Sequence, residues 1–178
     1  PFDFWTTMCN EGELLEKFNI QLAPIPMTEL MEEVRKVKAE GHKLQEMLSY
    51  IHNTMEIQIG HQEVENVAAL AAAMEQLTKR YGCRAAAIQC WNALQTEIGI
   101  MPCAANAILN EKGIPVVCET DIHGAVTALL AEAAVVDDTR SFFADWTIRH
   151  PDLENGELLQ HCGPWPASVA KEKPKLTY

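Results

Sequence analysis

Apolar residues recur at helical spacing through most of the first 136 positions. Over residues 28–51 they fall at Leu30, Met31, Val34, Val37, Leu44, Met47, Leu48 and Ile51, with Gly41 marking a break. Thr28 stands where a cap is needed, and Glu29, Glu32 and Glu33 suit the positive end of the helix dipole. Residues 62–81 repeat the pattern with Val64, Val67, Ala68, Leu70, Ala71, Met74 and Leu77, and close on Lys79, Arg80 and Gly82. Shorter helices are predicted over 11–18, 102–112 (ended by Gly113) and 125–134. The methionines of the long helices, Met31, Met47 and Met55, read as core filling.

Between the helices lie short apolar or β-branched runs that predict strands over 2–7, 19–25 (closed by Pro24 and Pro26), 83–89 and 114–118. Strands alternating with helices predict an α/β fold with a parallel sheet covered on both faces. After residue 136 the pattern changes. Residues 141–148 and 157–162 read as strands separated only by a polar turn, hence as an antiparallel region. The division is therefore an α/β domain over 1–136 and the start of a β-rich portion over 137–178.

The strand at 114–118 runs directly into Glu119, Asp121 and His123, which occupy alternate positions and so face one side of an extended chain. In open α/β sheets the crevice beyond the carboxyl ends of the strands binds ligands. Glu97 follows the other strand-like run, 83–89, and a parallel sheet would bring both strand ends to the same edge. Carboxylates there are costly to bury unless they meet a cation or hydrogen-bond donors, so a divalent metal is one explanation. The other is that they are solvated loop residues, with Asp121 capping the following helix and His123 a surface or cap histidine. Neither a G-x-G-x-x-G nor a G-x-x-x-x-G-K-[ST] phosphate cradle is present, and no G-x-S-x-G nucleophile elbow. Cys118, or Cys162 beside His161, could serve as a nucleophile; an inert buried thiol is the simpler reading of each.

Charge and cysteine usage narrow the partners. A net charge of -11 opposes binding to nucleic acid or to an anionic membrane surface. Six cysteines placed singly, with no C-x-x-C pair and no long apolar segment, indicate reduced thiols in a cytoplasm and no structural zinc. A chain that opens on Pro1 and closes on a Lys/Pro-rich run reads as an excised portion of a longer protein.

The segments CWNALQTEIGIMPC, LNEKGIPVVCETDIHGAVTALL, FFADW and LLQHCGPWP, in this order and at these separations, resemble the middle and early C-terminal portions of the L-fucose isomerase family, including its fucose-isomerase-like branch. The resemblance implies two α/β domains of Rossmann or flavodoxin-like type followed by a β-rich domain. It implies a homo-oligomer that interconverts an aldose and a ketose with a divalent cation, usually Mn2+. Carried over by position, Asp121 would bind the metal and Glu97 would shuttle the proton, with Glu119 as second candidate. A downstream metal-binding His of the family has no counterpart here. His161 and Trp165 would line the sugar pocket, and this portion by itself would be inactive. The alternative is a non-catalytic sugar-binding or assembly module in which the acidic residues only cap a helix.

Overall fold

Helix α4 (His61–Arg80) is the element on which the others pack, and its composition explains why. Ala68, Ala69, Ala71, Ala72 and Ala73 are all buried, so neighbouring backbones approach closely around it, while Val64, Val67, Leu70, Met74 and Leu77 supply the apolar bulk. The computed structural model describes residues 5–137, 139–161 and 163–177. Helices α2 (Met27–Glu40) and α3 (His42–Thr54) lie against α4. They are separated by Gly41 at φ 73°, a left-handed conformation that glycine adopts without a Cβ penalty. Val37 and Ile51 from these two helices are almost wholly buried, each such side chain contributing about 1.5–3 kcal/mol. Arg80, at the end of α4, pairs with the buried Glu33 of α2 at 2.7 Å, and the Tyr81 hydroxyl donates to Glu29 at 2.8 Å.

The remaining helices are α1 (Glu11–Phe18), α5 (Ala93–Ile98), α6 (Cys103–Glu111) and α7 (Ile122–Ala134). Helix α6 packs on α4, and Lys112 just beyond it, together with Lys79, pairs with Glu75. The strands are short. β1 (Glu56–Ile57) pairs in parallel with β6 (Lys175–Leu176), and β2 (Ala86–Ala87) in parallel with β3 (Val116–Val117). β4 (Asp145–Arg149) and β5 (Glu157–Gln160) form an antiparallel hairpin, with Asp145 opposite Gln160.

The chain is thus α/β and mostly helical. The helices read from periodicity are present, including the break at Gly41, and the region after 136 is antiparallel as expected. The parallel order is realised as two ladders of two residue pairs each, and among the described residues no single wide sheet joins them. Two predicted strands need correction. The described part of 2–7 is a 3-10 turn, Trp5–Thr7. Residues 19–25 form no ladder: Asn19 turns left-handed at φ 53°, its N–H and that of Ile20 close the end of α1 on Leu15 and Leu14 carbonyls, and Pro24 offers no donor. Over 83–89 and 114–118 only two residues of each run are laddered, because Pro115 has no N–H to give and the backbone reverses immediately after Cys118. Helix α5, which carries Glu97, has no counterpart in the sequence reading. Its signal is Gly99, which closes it at φ 71°.

Candidate active site

The reversal after β3 is the unusual feature. The Asp121 N–H donates to the Cys118 carbonyl at 3.2 Å, and the two residues enclosed, Glu119 and Thr120, sit at φ 63° and 54°. Positive φ at both central positions is the signature of a mirror-image turn that Asn and Gly normally form. A carboxylate and a β-branched residue there each hold roughly 1–3 kcal/mol of backbone strain, the kind that persists where surrounding contacts over-determine the chain. Those contacts are specific. The Thr120 N–H donates to the Ile88 carbonyl at 3.1 Å, extending the β2–β3 ladder, and the Thr7 hydroxyl donates to the Glu119 carbonyl at 2.8 Å from the other end of the chain. The Thr120 hydroxyl oxygen is itself buried with no hydrogen-bond partner among the described residues.

The turn brings Glu119 to two groups from distant segments. One ligand atom each from Glu119, Asp145 at the start of β4 and His161 just after β5 lie within 4.8 Å of one another. Among the described residues this is the only convergence of three such groups. Hairpin pairing is what delivers two of them: Asp145 faces Gln160, and His161 is the next residue. The hairpin and the segment after it are fastened to the strand end by polar contacts. Buried Asn110 accepts from the Val116 N–H and donates to the Pro164 carbonyl, the latter at 2.7 Å. The Trp165 indole N–H donates to the Phe143 carbonyl at 3.0 Å, and the His161 ring lies edge-on to Phe143 with centroids 5.2 Å apart.

Asp121 is the N-cap of α7, its Oδ1 accepting from the Gly124 N–H at 2.9 Å. Together with His123, Thr127, Ser141 and Phe142 it lines an open cavity of about 390 Å³ that extends to Phe143 and Ala144 but not to the convergent trio. Glu97 is exposed on α5, outside the trio. Trp165 is about one-third exposed, with its ring 4.8 Å from that of Phe142. The structure therefore unites Glu119 and His161 and adds Asp145, which the sequence reading missed. Period-two alternation within FFADW does not single out an aspartate, and only the β4–β5 register could have paired it with His161. A second open cavity, about 400 Å³ between α3 and α4 with His52, His61 and Glu65 on its walls, is lined by none of these groups.

Thiols lie directly behind the turn. Cys90 and Cys118 are buried in contact, with Phe143 packed against them. Cys118 exchanges hydrogen bonds with Cys103 and Cys90, which with burial pushes its thiol far up; the Cys90 thiol is pulled down to about 7 by the Cys118 hydrogen bond, against burial and with help from the Glu119 N–H. Among the described residues no helix is long and apolar enough to cross a membrane.

No family model matches the chain. It is similar to sulfoquinovose isomerases. That of Alkalicoccus urumqiensis is 24% identical over 173 residues, covering 97% of this chain and 38% of the relative. That of Clostridium sp. (strain MSTE9) is 27% identical over 169 residues, covering 90% and 35%, and that of Priestia aryabhattai 25% over 175 residues, covering 96% and 37%. The similarity is thus to sugar isomerases and not to L-fucose isomerase in particular. The chain spans 35–38% of the length of these relatives.

Proposed function

We propose that this chain is the part of a cation-dependent aldose–ketose isomerase that supplies strand-end carboxylates to the active site. The observation that carries this reading is the convergence of Glu119, Asp145 and His161 beside a strained turn, in a chain similar along nearly its whole length to named isomerases. The donor set fits a divalent cation. Three atoms within 4.8 Å of one another admit a point no more than about 2.8 Å from each, close to the 2.0–2.6 Å bonds of Mg2+ and Ca2+. Two carboxylates and an imidazole suit Mn2+. Glu119, Asp145 and His161 would hold it. Asp121, the ligand implied by the resemblance, uses one oxygen on the Gly124 N–H and has a second to offer.

A cation bound there would act as a Lewis acid on the oxygens of a sugar. Glu97 would carry the proton between C1 and C2 along a cis-enediol path, since a carboxylate can accept it from one carbon and return it to the next; Glu119 is the second candidate. Trp165, with its ring partly exposed, would offer an apolar face to the sugar's C–H side, and His161 would border the same pocket. The substrate is an aldose, for which L-fucose follows from the resemblance and sulfoquinovose from the relatives' name. A cytoplasmic homo-oligomer, with residues 1–136 as a Rossmann- or flavodoxin-like domain and 137–178 opening a β-rich one, belongs to the same reading.

The non-catalytic module remains as a second reading because Asp121 has a complete capping role of its own. Mn2+ binding followed by electron paramagnetic resonance separates the two. Asp145→Asn is expected to weaken binding by at least about 10-fold, as loss of a charged ligand would. Asp121→Asn caps as well as Asp, so any loss of Mn2+ affinity in that variant measures coordination and not folding. In the full-length parent Glu97→Gln should abolish ketose formation and leave Mn2+ bound. A chain whose Mn2+ affinity is indifferent to Asp145→Asn would refute the cation site.

A further inference from the structure

Cys90, Cys103 and Cys118 are buried thiols that the proposed isomerisation does not use. Cys118 packs against Cys90 and receives the Asn106 amide N–H at 3.4 Å. Cys90 and Cys118 follow the neighbouring parallel strands β2 and β3, and Cys103 opens α6. Cys118 directly precedes Glu119, so the pair adjoins the strained turn.

We propose that Cys90 and Cys118 are a modification site, a dithiol that a small hydroperoxide converts to a disulfide and that thereby disengages Glu119. The Cys90 sulfur attacks one peroxide oxygen and the O–O bond breaks; with hydrogen peroxide one water leaves, carrying the thiol proton, and Cys90 becomes a sulfenic acid. The Cys118 sulfur then attacks the Cys90 sulfur. The S–S bond forms, the S–O bond breaks, and hydroxide leaves with the Cys118 proton as a second water. The thiols lose two electrons and the peroxide gains two. Peroxide is close to water in size, and Cys90 is followed by the exposed Trp91 and Asn92, which shortens the route to the sulfur.

Cys90 is the partner of Cys118 for a packing reason. Two strand ends joined by a short ladder can draw together locally, whereas bringing Cys103 onto Cys118 drags α6, whose Ala105, Ile108 and Leu109 are sealed in the core. A bonded pair of sulfurs is about 2.0 Å apart, well inside a thiol–thiol contact. The movement shifts Cys118, the residue joined directly to Glu119, and lets a turn held at φ 63° relax. The coupling to the cation rests on the reading given under the proposed function; the cross-link does not.

The test treats the 178-residue chain with hydrogen peroxide, blocks remaining thiols, and digests at Lys, Arg and Glu without reductant. Cleavage after Glu97 separates Cys90 from Cys103. Mass spectrometry is expected to find peptide 85–97 joined to 113–119, two hydrogens lighter than the sum of the two, and Cys90→Ser should remove it. Mn2+ affinity of the oxidised chain should fall about 10-fold or more, the scale of losing an outer support of a ligand, and return with a thiol reductant. A link from 98–111 to 113–119, or Cys90 carried to the sulfinic acid with no link, would overturn the dithiol. A linked chain that holds Mn2+ as tightly as the reduced one would overturn the coupling. A chain that binds no Mn2+ in either state would overturn the cation reading and leave the dithiol to be judged by its cross-link.

Discussion

Gly124 shows how tightly single residues are fitted around the turn. A Cβ at this position would lie 2.7 Å from Asp121 Oδ2 and 3.0 Å from both Asp121 Cγ and Phe143 Cε2. The Asp121 carboxylate can swing away from such a methyl group only by giving up the Gly124 N–H it accepts. Gly124→Ala is therefore expected to destabilise the chain by about 1–2 kcal/mol, the worth of a lost cap plus local overpacking, even though alanine favours helices elsewhere. Urea unfolding would check this, with Asp121→Asn as the control that keeps the cap. If alanine proves neutral or stabilising, the close approach of α7 to Phe143 is not as described. Thr7 has the complementary role from the opposite end of the sequence, its hydroxyl holding the carbonyl of the left-handed Glu119.

At the scale of elements, α4 and α6 are joined by an ionic contact as well as by apolar packing. Glu75 on α4 receives Lys112 and Lys79, the latter at 2.6 Å, and is only 12% exposed. Burial pushes the Glu75 carboxyl up, but the hydrogen bonds and charges of the two lysines outweigh it and hold the group below the usual glutamate range. A carboxyl depressed in the folded state stabilises it fully above the unfolded value, near 4.3, and that contribution is lost as pH falls through the folded value. Glu75→Gln is expected to cost about 1 kcal/mol at neutral pH and nothing at pH values below the folded titration, so the gap between the two stability curves should close on acidification. A gap that stays constant between pH 7 and strongly acidic conditions would show that the loss comes from packing instead.

For the whole molecule, the decisive quantity is how much of a cation's surroundings one chain provides. Three ligand-type groups leave an octahedral ion half open, and the chain spans 35–38% of the length of its relatives. The 178-residue chain is accordingly expected to bind Mn2+ weakly and to convert no aldose to ketose. Ketose formation by the purified chain that depends on added Mn2+ and stops with a chelator would defeat that expectation.

The sequence alone determined the elements whose causes are local. Helical spacing of apolar residues located α2, α3, α4 and α6, and Gly41 marked where α2 ends, because periodicity and backbone freedom are properties of neighbouring residues. The ambiguity of Asp121 between ligand and cap was also legible, since a residue just before a helix can serve either way. What required tertiary structure was everything that depends on register or on long-range contact. Strands β2 and β3 are two residues long where apolar runs suggested five or more, because ladder length is set by the partner and by where the chain turns. Glu119 and Thr120 adopt positive φ although nothing in their side chains favours it, because Thr7 and Ile88 constrain the turn from elsewhere. Asp145 joins Glu119 and His161 only because the β4–β5 register and the Asn110 bridge carry the hairpin to the end of β3. A single-chain pattern records which side of an element a residue faces, and it holds no measure of the distance between elements.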